Sequence, residues 1–285
     1  GIEARFIDGW LRPGFSVHTE QELCSYLDLL YQDTKFQAWA IPQEELANAL
    51  KSLPFPIRFS DMLHTALSLY QKNSLTKRVW VHKCGEYYRC IKKIRQELPK
   101  AKCIFVNRDP RAVFSSQRRS FDSRTGLPMQ ENALHFLFGY LDTLRRLEAL
   151  EDDPDFLVIQ YEELLENETN VMTSIEQFLG ITHSTSPGDQ KNYFSAIPKS
   201  QQHLHSHVKD GQPQLARIVG WQQELPLPAL LLLQTVLKKY LRAKGFPLYS
   251  PPKIGIRAWG HFAILLCLFG YEASKRKLFK IEHRY

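Results

Sequence analysis

Residues 101–120 read AKCIFVNRDPRAVFSSQRRS, and the rest of the chain is best parsed outward from them. The first part, Cys103-Ile104-Phe105-Val106, is a continuous apolar run, the pattern of a strand covered on both faces. Asn107-Arg108-Asp109-Pro110 breaks that run. From Arg111 the pattern is helical, with Ala112, Val113 and Phe114 toward a core. Pro110 suits the first turn, where a missing N–H leaves nothing unsatisfied. Arginines and serines therefore collect at the C-terminal end of a strand, the place where open α/β sheets bind ligands. Arg108, Arg111, Ser116, Arg118 and Arg119 together suit a phosphate: planar forks for its oxygens, a hydroxyl beside them and a helix N-terminus below.

The same change of period occurs on both sides of this stretch. Residues 77–84, KRVWVHKC, carry a strand at Val79-Trp80-Val81, with His82, Lys83, Cys84 and Gly85 at its end. A helix over 87–98 follows, stopped by Pro99. With residues 101–120 this makes strand–helix–strand–helix, the mark of a parallel sheet flanked by helices in an α/β fold. Residues 156–161, FLVIQY, add a third buried strand, and a helix over 170–179 closes on Gly180. Helices are expected upstream over 19–31, 42–53 and 59–70. Thr19 with Glu22 three residues on makes a helix cap at the first of these. Downstream, helices are expected over 131–150 and 225–243, the latter capped by Gly245. The polar segment 182–220 between them, with His203, His205, His207, Lys209 and Gly211, reads as a long loop or lid.

With 285 residues, 44% hydrophobic and 24% charged, the chain can bury one sizeable core. A formal charge of +7 fits an anionic ligand, but a nucleic acid or membrane surface would fit it equally, so charge alone does not choose. Five cysteines without CxxC spacing read as reduced thiols, with no disulfide framework and no zinc site. The three alternating histidines lack a nearby cysteine or carboxylate, so no metal site is assigned. The sequence carries no signal peptide and begins at Gly1, which reads as a processed or cut start. The tail after residue 252 holds an apolar run at 261–271, HFAILLCLFGY, too short to span a bilayer. It is either a helix docked on the core or a surface anchor.

Strand, then R-D-P-R, then Ser116 eight residues after Arg108 resembles the 3′-phosphate-binding motif of PAPS-dependent sulfotransferases, PAPS being 3′-phosphoadenosine 5′-phosphosulfate. Trp80–Gly85, WVHKCG, resembles that family's W-x-x-K-T-P segment, with Cys84 and Gly85 in place of Thr and Pro. Tyr161-Glu162-Glu163-Leu164 with Phe178-Leu179-Gly180 is similar to its Y-E-D-L segment and F-L-G end. Arg217 and Trp221 match an R-x-x-x-W element preceded by a basic loop. Gly1–Ile7 resembles the G-E-E-x-R-x-I segment of tyrosylprotein sulfotransferases and related enzymes. The resemblance implies a nucleotide-kinase-like fold of the P-loop type. It implies PAPS as co-substrate, no metal, and sulfuryl transfer to a hydroxyl of a protein tyrosine, carbohydrate or small molecule. By the same resemblance Arg108, Ser116, Arg119, Tyr161, Lys209 and Arg217 would contact the nucleotide and Lys83 the transferring group. Glu3 would be the general base, with His82 and Glu86 as rivals near a strand end. The family's 5′-phosphosulfate loop has no counterpart in these residues, so the first strand and phosphate loop are expected upstream of Gly1, and residues 1–285 alone are expected to be inactive. The resemblance covers nearly all of residues 1–250; the sulfotransferase domain is expected over 1–252, with 253–285 as a separate tail that is a candidate for weak membrane or protein contact. No nucleic-acid partner is expected. The expected compartment is the cytoplasm, or the Golgi lumen for a eukaryotic chain. Two other classes stay open: a P-loop phosphoryl-transfer kinase and a non-catalytic nucleotide-binding or interaction domain.

Overall fold

The computed structural model of the protein describes residues 16–37, 39–70, 81, 83, 85, 87–121, 125–181, 216–251 and 253–282. The chain divides into two compact units. The first takes Gly1–Cys103 and Ser186–Gln202, the second Ile104–Thr185 and His203–Tyr285.

In the first unit a two-residue strand, β1 (Ser16–Val17), leads into helix α1 (Glu20–Leu30). The helix starts where the sequence places a cap: the Thr19 hydroxyl accepts from the Glu22 N–H at 3.2 Å, and Glu22 accepts from the His18 N–H at 2.8 Å. A short helix α2 (Thr34–Gln37) lies within the expected connection, and α3 (Gln43–Lys51) follows. Strand β2 (Ile57–Arg58) pairs antiparallel with β1 and runs into α4 (Phe59–Tyr70). Leu23, Leu27 and Leu30 of α1 sit at helical spacing and meet Leu46 and Leu50 of α3 and Met62, Leu63 and Ala66 of α4. The helix expected over 87–98 divides into a 3₁₀ turn, Tyr87–Arg89, and α5 (Ile91–Glu97). Of the strand expected at Val79–Val81, only Val81 is described, and it is exposed and outside any strand.

Strand β3 (Cys103–Asn107) enters the second unit at Ile104, and that unit also holds α6 (Pro110–Arg119), α7 (Ala133–Glu148), β4 (Phe156–Gln160), α8 (Tyr161–Glu166) and α9 (Glu168–Leu179). β3 and β4 form a small parallel sheet. Their C-terminal ends lie side by side, so that Asn107 donates to Gln160 at 2.9 Å and the Asp109 N–H to Glu162 at 3.0 Å. The strands were expected to be covered on both faces. Instead Ile104 and Val106 on one face of β3, and Val158 of β4, are exposed. A continuous apolar run does not distinguish one covered face from two, and this sheet has only two strands among the described residues.

Asn132 caps α7 by accepting from the Leu134 and His135 N–H groups. Gly180 takes a left-handed conformation, φ 67°, and closes α9 with two bonds: Ile181 N–H to the Glu176 carbonyl and Gly180 N–H to the Gln177 carbonyl. Two short helices, α10 (Ala216–Val219) and α11 (Trp221–Glu224), come next. The helix expected over 225–243 is broken at Leu237 into α12 (Leu227–Val236) and α13 (Lys238–Ala243). Gly245, φ 76°, ends α13 by the same paired closure seen at Gly180. Phe114 of α6, Phe136 and Leu137 of α7 and Leu230 and Leu233 of α12 fill the core. The last helix, α14 (Ile256–Glu282), absorbs the apolar run of the tail and packs Phe262, Leu265 and Phe269 on this core.

Candidate functional site

The chain leaves β3 into a turn whose polar groups are almost all committed. Asp109 is the N-cap of α6 and accepts from the Arg111 N–H at 2.9 Å. The same carboxylate grips the Arg111 guanidinium, at 3.0 Å from Nε and 2.7 Å from Nη2. The guanidinium also donates to Gln234 of α12 and to the Pro247 carbonyl, each at 2.8 Å, and lies 3.9 Å over the Trp221 ring. Arg111 is fully buried. The sequence reading set Arg111 beside Arg108 as a phosphate ligand, and this is corrected: its charge and donors are spent inside the protein. A buried pair of this kind holds only with such complete hydrogen bonding.

Below the turn runs a second chain of polar contacts. Tyr240 of α13 donates to Asn107 at 2.6 Å, and Asn107 donates to Gln160. The Tyr140 hydroxyl of α7 lies 3.2 Å from that of Tyr240 and 3.4 Å from the Arg108 carbonyl. Burial pushes the Tyr140 phenol up, and the neighbouring Tyr240 adds to the rise. Tyr240 is raised as well, chiefly by burial. Both phenols therefore stay protonated and work as hydrogen-bonding struts.

Arg108 stands above this base. Its guanidinium stacks on the Tyr161 ring, 4.4 Å from the centroid, and Nη2 donates to the Arg217 carbonyl at 3.1 Å. Its Nε is buried and has no hydrogen-bond partner. Glu162, next to Tyr161, has one oxygen on the Asp109 N–H, and the other, Oε2, is buried without a partner. Burial raises the Glu162 carboxyl above its ordinary value, and the hydrogen bond from the Asp109 N–H and, to a smaller extent, the Arg108 charge offset part of the rise. A guanidinium edge left unpaired in a protein interior is costly and calls for an acceptor. The arrangement suits recognition of an oxyanion by a fixed planar fork on an aromatic platform.

The structure thus brings Arg108, Tyr161 and the backbone of Arg217 together. Ser116 is half-buried on α6, and its hydroxyl makes no hydrogen bond among the described residues. Arg119, also on α6, forms a 3.0 Å ion pair with Glu224 of α11, and Ser115 donates to the same carboxylate in a short hydrogen bond. Lys83 is exposed in the first unit. Glu3, His82, Glu86 and Lys209 lie outside the described residues. Asn107, Asp109, Tyr140, Tyr240 and Glu224 were not singled out from the sequence. Of these only Asp109, an Asp directly before Pro at a helix start, carries a local signal.

Residues 17–185 match the model described as the sulfotransferase family. The chain belongs to the sulfotransferase family. In this sulfotransferase the matched span contains Lys83, Arg108, Ser116, Arg119 and Tyr161, while Arg217 and the helices after it fall beyond the match. Comparison with curated proteins and with solved structures gave no significant match. Among the described residues no three His, Cys, Asp or Glu side chains gather as metal ligands.

Proposed function

We propose that the protein moves a sulfuryl group from PAPS to a hydroxyl acceptor, and that the Arg108 end of β3 holds the 3′-phosphate of the nucleotide. One observation carries this reading: a buried guanidinium N–H, Arg108 Nε, with no partner, on a side chain fixed over Tyr161 at the C-terminal end of a parallel strand. The fit to a phosphate is chemical. Arg108 supplies a charged donor, its Nε–H, while Nη2 is held by the Arg217 carbonyl, and Ser116 supplies a hydroxyl free among the described residues. Tyr161 gives the guanidinium its plane. Lys209 and Arg217 remain the candidates for further nucleotide contacts by the motif resemblance. Arg119 is a weaker candidate, because Glu224 holds it.

When bound, PAPS supplies an activated sulfuryl group whose sulfur–oxygen bond to phosphate breaks as the bond to the acceptor oxygen forms. The protein's part is to balance charge and accept a proton. By motif spacing Lys83 is assigned to the oxygens of the transferring group. Glu3, with His82 as the alternative, takes the proton of the acceptor hydroxyl.

The test is calorimetry on the full 285-residue chain with 3′-phosphoadenosine 5′-phosphate and with 5′-AMP. The nucleotide bearing the 3′-phosphate should bind more tightly. Arg108→Ala should weaken it by about 1.5–3 kcal/mol, the scale of a hydrogen bond to a charged group, and leave 5′-AMP unchanged. Equal affinity for the two nucleotides overturns the reading.

A further inference from the structure

Helix α14 runs from Ile256 to Glu282, and its described apolar side chains that pack on the core lie on one face. Phe262, Leu265 and Phe269, at i, i+3 and i+7, meet the core of the second unit, and Phe269 stacks on Phe138 at 5.0 Å. At 100° per residue, the side opposite them is made by Ile256, Gly260, Ala263, Ile264, Cys267 and Tyr271. None of these is charged. Ile256 is 88% exposed, Tyr271 59% and Ile264 58%. Trp259, 50% exposed, lies on one flank. Residues 258–271, AWGHFAILLCLFGY, contain no Asp, Glu, Lys or Arg. A soluble helix with one packed face ordinarily turns charged residues to water on the other, and α14 does not.

The ends of the helix carry what the middle lacks. Lys253 and Arg257 are exposed at the start, and Lys275 and Arg276 at the far end. Lys275 sits 4.3 Å over the Tyr271 ring. From residue 251 onward the sequence has seven basic residues (Lys253, Arg257, Lys275, Arg276, Lys277, Lys280, Arg284) against two acidic ones (Glu272, Glu282). Trp259 and Tyr271, aromatic side chains of the kind that sit at a membrane–water boundary, flank the uncharged run.

We propose that α14 is an interfacial helix that lays its open apolar face on an anionic lipid surface, with basic residues at both ends meeting the headgroups. Charge decides between lipid and a second copy of the chain. Both ends of the helix are positive, so pairing two copies sets like charges together in the parallel and the antiparallel arrangement alike. Anionic headgroups complement both ends at once. Among the described residues no helix is long and apolar enough to cross a membrane, and a surface-lying helix does not need to be.

Flotation of the full chain with vesicles tests this. Vesicles of phosphatidylcholine with about 30% phosphatidylserine should carry the protein upward, and phosphatidylcholine alone should carry far less. Raised salt should release it. Ile264→Glu, on the open face, should reduce binding by tenfold or more. Lys275→Ala should reduce it about fivefold, the contribution of one basic residue near such a surface. On binding, the tryptophan emission should shift to the blue, and Trp259→Phe should remove most of that shift. Failure of the wild type to float with anionic vesicles overturns the proposal. So does unchanged binding by both Ile264→Glu and Lys275→Ala. If sedimentation instead shows a dimer that Ile264→Glu dissociates, the face belongs to a second copy and the proposal falls.

Discussion

Among the described residues, fourteen buried side chains form the core of the first unit, and every one is apolar. In the second unit Asn107, Asp109, Arg111 and Ser115 are buried within nine consecutive residues, and they are the buried polar or charged residues among those described. Apolar contact is non-directional, so the first core needs only volume and pattern. A buried hydrogen-bonded pair fixes distances and angles, and it turns against the fold as soon as one partner is lost. The second unit accepts that exposure to failure in the stretch that carries Arg108, the side chain proposed above to hold the 3′-phosphate.

Breaking the polar half of this contrast should have the largest effect. Arg111→Ala leaves the Asp109 carboxylate buried and unpaired, and should cost about 3–5 kcal/mol in denaturant unfolding. Nucleotide binding should be lost with it, since Asp109 also caps α6. A stability loss below ~1 kcal/mol would mean that the pair does not hold the turn. Breaking the apolar half should be similar or somewhat milder: Leu46→Ala should cost about 2–5 kcal/mol. The affinity of the folded protein for 3′-phosphoadenosine 5′-phosphate should stay at the wild-type value. A parallel fall in affinity would show that the two kinds of burial are not separable.

The finest test is a pH profile. Burial raises the Glu162 carboxyl in the folded state. The unfolded chain therefore releases that proton first, beginning near the ordinary glutamate value of about 4.3. Below that range both states are protonated and Glu162 contributes nothing to pH dependence. As pH rises through it toward the folded value, stability is lost, and the loss is complete above the folded value. Glu162→Gln removes this slope while keeping an acceptor for the Asp109 N–H. The variant should match the wild type in acid and gain on it as pH rises. A difference that does not vary with pH would count against a proton held by Glu162.

Features set by neighbours in sequence were legible beforehand. Thr19 caps α1, Gly180 and Gly245 close their helices, and Pro110 opens α6, because each follows from a few adjacent backbone groups. The position of Arg108 at a strand end was legible for the same reason. Arg111 was misread because Asp109 beside it could equally have served Arg108, and the partners that fix it inward, Gln234 and Pro247, stand 123 and 136 residues away. Nothing in R-D-P-R tells which arginine faces inward. The Tyr140–Tyr240–Asn107 ladder joins three elements and leaves no local trace. The open face of β3 was invisible too, since Ile104 and Val106 have the same character whether or not something covers them.

One feature of the site closes on itself. Arg108 reaches the Arg217 carbonyl, α10 leads into α11, Glu224 of α11 takes Ser115 and Arg119, and α6 returns to Arg108. Trp221 adds a strut by donating to the Ile218 carbonyl at 2.9 Å. A closed circuit of contacts cannot be opened at one point without loosening the others, so residues 108–119 and 216–224 should exchange their amide protons with solvent as one cooperative block. Glu224→Ala cuts the circuit far from Arg108. Amide exchange should then quicken along α6 as well as α11, and quickening confined to α11 would show that the circuit is not mechanically closed. If the quickening spreads to α6, the Arg108 guanidinium owes its stiffness not only to the strand it grows from but to a ring that the chain completes more than a hundred residues later.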